Sequence, residues 1–568
     1  MNRTAVLFLR AIASAIALVV STPAGAAAQQ SDAAGGFRWE LFVNTPAETY
    51  LRYLQTTGKV PLYPWSSRAF SPRELNRLVP ADSISHPWKT RFTSDARSFG
   101  GIRYGVIDPS TTVRYNSSFA YGTNDGAIWA GRGLTSAVQM GFYINWKPIT
   151  LTVAPMAFRS QNQTFEIIPT GRTGDAAFGD PVFGGVDRPQ RFGDSPYARI
   201  DPGQSTLRID LPFVAAGIST ANQAWGPGQE LPVILGNNAG GFPHIFAGTS
   251  EPVNIFIGTL HGKVFWGELT QSRFSAVAGP SSYTSRAEPG TRRFATGFVI
   301  AGSPRGFPGL EVGGTRFFHS IWPRSGIPRS YYTKFVQGFI KKNIAPDRFV
   351  DPRFPQGFEG QGISDNQLLS VFGRWVLPHS GFEIHGEYGR DDHSYDIRDL
   401  TQEPDHARVY SLGARKVFQS RPDVLTAARF EIMNFQVPQL VRYRGEGEIY
   451  VHGLIRQGHT YNGQLLGADV GVGAGAGSTL AVDRFTPGGK WTASWSRVLR
   501  RENGNYLLLG VRNPRSMDVT HALGFEMTRF MKGFDLNGGL NFVYEFNRDF
   551  KRDASNLNAL VGVRYQLH

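Results

Sequence analysis

From about residue 100 onward, the chain keeps returning to one pattern: an apolar side chain at every second position, sustained for about ten residues at a time. Val113, Tyr115, Ser117, Phe119 and Tyr121 alternate with Thr112, Arg114, Asn116, Ser118 and Ala120. Val138, Met140, Phe142, Ile144 and Trp146 alternate with smaller or polar neighbours, and Lys147-Pro148 then turns the chain into Ile149, Leu151 and Val153. Phe534, Leu536, Gly538, Leu540, Phe542, Tyr544 and Phe546 face away from Asp535, Asn537, Asn541 and Glu545. The final stretch puts Val561, Val563, Tyr565 and Leu567 on one side, with Asn558, Arg564, Gln566 and His568 on the other. A period of two belongs to β-strands. Long strands with one apolar face fit a transmembrane barrel, although a soluble sandwich or propeller alternates too.

The N-terminus favours the membrane. Arg3 opens a short positive region, an apolar stretch runs from Ala5 to Val20, and Ala26-x-Ala28 fits signal-peptidase cleavage before Gln29. No cysteine follows, which excludes a lipid anchor, and no later window approaches the ~18 consecutive apolar residues of a spanning helix. The cysteine count of zero removes disulfides and thiolate chemistry together. Charged residues make up 18% of the chain, against about 25% in ordinary soluble proteins. Losing residues 1–28 removes Arg3 and Arg10 and no acid, which lowers the formal charge from +14 to +12. An exported protein this basic is drawn to lipopolysaccharide and acidic polysaccharides rather than to nucleic acid.

Three regions are expected: a signal peptide (1–28), a helical periplasmic module (29–95) and an outer-membrane barrel (96–568). In the module, Thr49 to Leu54 has helical spacing and stops at Gly58. Ser71-Pro72-Arg73-Glu74 forms a capping box before Leu75 and Leu78. About 470 barrel residues at roughly 25 per strand predict about 18 strands. The fold class is therefore mainly β: a transmembrane antiparallel barrel with a small N-terminal helical module. Its lumen needs a channel role or a filling, and the irregular stretches 171–202 and 306–367 are the expected filling. Tyr331, Phe335 and Phe339 predict a short helix in the second.

One stretch is neither helix nor clean strand. Asn222-Gln223-Ala224-Trp225-Gly226-Pro227-Gly228, followed by Leu235-Gly236-Asn237-Asn238-Ala239, resembles the Wzi capsule-assembly family, as do Glu387-Tyr388-Gly389-Arg390-Asp391-Asp392 and His459 to Gly467. Leu54 to Pro61 and Trp65 match as well, so the resemblance runs along nearly the whole mature chain. Ala224, where an aromatic often precedes the Trp, and the terminal His568 depart from the pattern. The resemblance implies a non-enzymatic, lectin-like outer-membrane barrel that holds capsular or exopolysaccharide at the cell surface.

Sugars are bound by an aromatic face and by planar amides and carboxylates, on backbone stiff enough to lose little entropy. Trp225 as platform and Asn237 and Asn238 as donors and acceptors suit that role. The bland alternative is a lumen plug whose Trp packs and whose asparagines cap turns. Glu387, Arg390, Asp391, Asp392, Tyr461 and Asn462 are further expected polysaccharide contacts. Glu383, His385 and Glu387 share one strand face; they suit either glycoside hydrolysis by paired carboxylates or a polar lumen wall paired with arginines. Arg324, Arg329, Lys334, Lys341 and Lys342 suit an acidic polysaccharide or lipopolysaccharide phosphates. No cofactor, metal site or catalytic residue is expected, and the expected state is a monomer. The rival readings are a diffusion or sugar-selective porin, and a hydrolase using Glu383 and Glu387.

Overall fold

The computed structural model describes residues 37–79, 88, 91, 97–277, 292–322, 326–338, 365–392, 394, 397–436, 448–453, 455–501 and 517–567. The expected signal peptide, Arg324, Lys341, Lys342, Phe339 and His568 lie outside the described residues. Eighteen antiparallel strands follow one another around a closed barrel, and Ile102–Asn116 pairs with Arg552–Tyr565 to seal it. Three of these strands are each made of two segments. They are Ile149–Val153 with Met156–Ser160, Tyr197–Asp201 with Thr206–Asp210, and His244–Thr249 with Val253–Ile255. Short turns join the strands at one end, and long loops join them at the other except for the three-residue turn 549–551 between the last two strands.

The burial pattern inverts that of a soluble protein. Leu536, Leu540, Phe542 and Val561 are 37–59% exposed on the outer wall, whereas Asp535, Glu545, Asn556 and Asn558 are 1% exposed on the inner one. A continuous outward apolar belt is stable against lipid and unfavourable in water.

The structure corrects two expectations about elements. The first strand stops at Asn116 instead of running to Tyr121, because the Asn116 amide donates to the carbonyls of Tyr121 and Ala130 and curls the chain into a loop. Phe119 then packs against Phe165 and Val543. The stretch 306–367, read as irregular, contains the barrel strand Leu310–Ile321. Its second half lacks alternation because both of its faces are buried. Phe317 and His319 point into the lumen, and on the outer side the 3-10 turn Arg329–Val336 covers Phe294 and Arg316.

The lumen is filled from both ends. At the short-turn end, the helix Pro46–Thr56 is buried at ten of its eleven positions, as a helix must be when surrounded on every side. Residues Phe37 to Val79 thus lie within the barrel mouth. Tyr50 and Trp88 stack beside Phe485, and the Tyr53 hydroxyl donates to Asp483 at 2.5 Å. Arg52 meets Glu383 at 2.5 Å, and Arg374 and Arg415 reach the same carboxylate at 3.0 and 3.2 Å. The second helix, Pro72–Leu78, carries the expected capping box at Ser71 and Glu74. At the long-loop end the filling is a cluster around Trp225, Val233, Ile234, Tyr450 and Leu466, to which the expected stretch 171–202 contributes Val186 and Phe183.

Removing the charge at Glu383 strands three buried guanidiniums. Glu383→Gln is expected to destabilise the barrel by ~3–5 kcal/mol, read as a lowered melting temperature in detergent. Glu74 supplies a pH test. Burial pushes its carboxyl up, but His261, Arg208 and the Ser71 N–H outweigh that and hold it at about 2. This lies below the ordinary ~4.3, so the docked module keeps its full stability above that value and loses it as pH falls toward about 2. Melting curves between pH 2 and pH 7 should show the loss, and Glu74→Gln should flatten it.

Candidate functional site

The turn after Trp225 is held by the N-terminal module. Ser67 and Arg68 pair with Trp225 and Ala224 as a two-residue ladder. The Arg68 guanidinium donates to the carbonyls of Gly226 (3.3 Å) and Gly228 (2.5 Å), and Arg52 donates to that of Pro227 (2.8 Å). Gly226 is required on two counts: its φ is +83°, and a Cβ there would come within 2.4 Å of Glu387 Oε2. Trp225 itself has no exposed surface. Its ring lies against Phe265 and Phe317, and its indole N–H donates to Gln223 Oε1 at 3.3 Å. A ring enclosed in this way has no face open to a sugar, so its geometry is that of lumen packing.

Most of the other expected contacts sit in or beside the same packing. Asn237 donates to the Asn124 carbonyl at 2.7 Å, and Asn238 donates to that of Leu465 at 3.3 Å. Asp391 accepts the Tyr450 N–H at 2.7 Å, and the Asp392 N–H donates to the Gln367 carbonyl at 2.8 Å. Tyr461 lies under the Arg199 guanidinium, and Asn462 Oδ1 accepts the Thr270 hydroxyl at 2.8 Å. Arg390 is apart from all of these: it shares the parity of outward Ile384, on the opposite face of its strand from Glu383 and Glu387.

Glu383, His385 and Glu387 do line one inner face. His385 lies 3.8 Å from both Glu383 and Glu431, and all three side chains of the trio are buried. With Glu383 gripped by three arginines and Glu387 pressed on the Gly226 turn, neither carboxylate has room for a glycosidic bond.

Open space lies elsewhere. A cavity of about 140 Å³ opens among the long loops, between residues 120–130, 180–190 and 463–469 and the ends of the last wall strands. Tyr121, Trp129 and Phe165 bring aromatic surface to it, and Gln190, Asn238 and Gln464 bring amides. Four of its charges are held in two pairs, Arg188 with Asp469 at 2.5 Å and Arg548 with Glu545 at 2.7 Å. Trp129 is half-buried and backed by Phe192, ring centroids 4.9 Å apart. Asn162 fixes that backing by donating to the carbonyls of Phe192, Gly193 and Ser195. Of the nine expected contacts, Asn238 alone lines this cavity. Trp129 was missed from the sequence because it stands in a glycine-containing loop with no periodicity around it. A second cavity, of about 360 Å³, lies at the short-turn end beside Leu62, Pro64 and Phe307.

These features define a closed eighteen-stranded barrel of the outer-membrane type with a packed lumen and a polar-aromatic cavity at its long-loop end. No family model matches the chain, and no curated protein matches it. Among solved structures it is similar to Wzi, an outer membrane protein involved in group 1 capsule assembly in Escherichia coli and a carbohydrate-binding β-barrel. That likeness covers 93% of this chain and 99% of the other at 14% identity, with a TM-score of 0.59. Acinetobacter baumannii OccAB3 overlaps at a TM-score of 0.37 and 8% identity, covering 81% of this chain and 98% of that one. Pseudomonas aeruginosa OccK9 overlaps at 0.35 and 10%, covering 82% and 98%.

The two tryptophans should therefore behave differently. Trp225→Ala is expected to cost ~3–5 kcal/mol by opening a void in the lumen packing, visible as a lower melting temperature in detergent. Trp129→Ala should shift it far less.

Proposed function

We propose that the protein is a non-enzymatic outer-membrane barrel that holds capsular or other surface polysaccharide at the cell. The observation that carries this reading is a lumen packed shut at both ends beside a cavity left open at the long-loop face. A conduit needs the first space open. An anchor needs only the second. The outward apolar belt and the expected signal peptide support the outer membrane as the location, with the short turns periplasmic and the long loops facing outward.

In this reading Trp129 and Tyr121 lie under the apolar face of a sugar ring, while Asn238, Gln190 and Gln464 meet its hydroxyls. Asn237, Asp392, Tyr461 and Asn462 act by fixing the loops that make the cavity wall. Trp225, Glu387 and Asp391 act by packing the floor beneath it. The similarity to a barrel that binds carbohydrate points the same way.

Deleting the gene in its native host is expected to leave total polysaccharide unchanged and to raise the released fraction at the expense of the cell-associated one. Complementation with the wild type should restore the partition, and Trp129→Ala should restore it poorly while reaching the membrane normally. An unchanged partition, together with large ion conductance of the purified barrel in planar bilayers, would instead establish the porin reading.

A further inference from the structure

The outer wall carries an arginine two of whose nitrogens meet no acceptor among the described residues. Along the strand Phe382–Asp391, Glu383, His385 and Glu387 point inward, and Ile384 is exposed to the outside. Arg390 has the parity of Ile384 and therefore stands on the outer face, just below the long-loop rim. Its direct cross-strand neighbour is Arg408. Like charges directly opposite one another destabilise a sheet, and a guanidinium withdrawn from water costs free energy unless its N–H groups are received. Arg390 is 6% exposed, yet its Nε and Nη1 meet no acceptor among the described residues. Arg316, two strands away on the same wall, shows how such a group is normally satisfied. It donates to Gln367 Oε1 and to the carbonyls of Gln337 and Gly338. Arg408 is partly served, donating to the Gln436 carbonyl at 2.7 Å and lying 3.4 Å from Asp405.

What surrounds this pair follows the profile of a lipid leaflet. Below the tyrosines on the two strands, Ile384 and Leu412 are exposed. One step below the arginines, Tyr388 faces Tyr410 with ring centroids 5.4 Å apart. Arg390 and Arg408 come next, about 20 Å along the strand from Ile384 at ~3.4 Å per residue. Aliphatic, aromatic and then cationic is the order of acyl chain, interface and headgroup. Two short rim helices on the same side of the barrel extend the pattern. Ile397–Gln402 exposes Ile397 (69%) and Leu400 (37%), and Arg329–Val336 exposes Tyr332 (46%) and Val336 (70%). The first pair, three residues apart on an α-helix, forms one apolar face suited to lying in a membrane interface.

We infer that Arg390 and Arg408 form a docking site for the phosphorylated headgroup of an outer-leaflet lipid, approached sideways from the membrane. The inference rests on the outer-membrane reading above. A polysaccharide held at the loop cavity comes from above the rim, whereas this pair sits below it beside the tyrosines. A phosphate there relieves the repulsion of the two guanidiniums and receives the unused N–H groups of Arg390 through charge-assisted bonds.

The test uses the purified full chain in nanodiscs of phosphatidylcholine alone, of phosphatidylcholine with phosphorylated lipid A, and of phosphatidylcholine with the same lipid A stripped of its phosphates. Native mass spectrometry of the released protein reads the retained lipid. The wild type should keep the phosphorylated form about tenfold better than the stripped one, and Arg390→Gln and Arg408→Gln should each lose that preference. In phosphatidylcholine alone, Arg390→Gln should melt at the same temperature as the wild type or higher, because a like-charge opposition has been removed. Equal retention of both lipid A forms, a lower melting temperature of Arg390→Gln in phosphatidylcholine, or full replacement of the lipid by inorganic phosphate would each overturn the inference. A chain that stays soluble without detergent and never enters the discs would defeat the outer-membrane reading itself, a different result.

Discussion

An eighteen-stranded barrel encloses more space than its own inward side chains can fill, and every carboxylate it points into that space must find a donor. Here the wall meets both needs with the same contacts. Glu311 receives the N–H groups of Trp65 and Ser66, each at 2.9 Å. Glu431 receives those of Gln229, Glu230 and Leu231. Glu383 receives Arg52, which in turn reaches the Pro227 carbonyl. Three wall carboxylates thus grip the two inserted segments at their backbones and at one arginine. The stiff Trp225-Gly226-Pro227-Gly228 turn is shaped by that grip.

In the proposed reading this use of inward polarity takes the place of transport. In a channel, lumen charges are solvated and tune what passes; here Glu311, Glu383 and Glu431 are spent on internal pairing, and the aromatic rings beside them pack on one another. In the same proposed reading, recognition is displaced to surfaces that the packing leaves free, which are the cavity among the long loops and the outer wall beneath their rim. Carbohydrate and lipid would then meet the same protein a short distance apart, one from above and one from the side.

Much of the barrel was legible in the sequence because lipid imposes a simple rule: the last two strands alternate cleanly, with one face touching acyl chain and the other the lumen. Legibility failed where a strand has no solvent-like face, as at Arg316 to His319, where protein covers both sides and the alternation disappears. It failed again at Trp225, since an indole on a glycine-proline turn has the same local sequence whether it offers its face to a sugar or buries it against Phe265 and Phe317. That choice is made by Arg68 and Arg52, more than 150 residues away in the chain. The capping box at Ser71 was readable because it is local. The position of Arg390 was readable too, because counting by twos from Ile384 puts it outside the barrel, away from Glu387.

The contacts of the N-terminal helix also set the order of events in making the molecule. Arg52 and Tyr53 are held by Glu383 and Asp483, which follow them by 331 and 430 residues. Trp88 donates to the Thr486 carbonyl and packs on Phe530. The segment synthesised first is therefore the one whose berth is finished last. Until the closing hairpins are in place, its tyrosines, tryptophans and buried arginines have no wall to meet. Seating the plug and sealing the first strand to the last are parts of a single late event, and a barrel truncated near its C-terminus loses its stopper along with its seam.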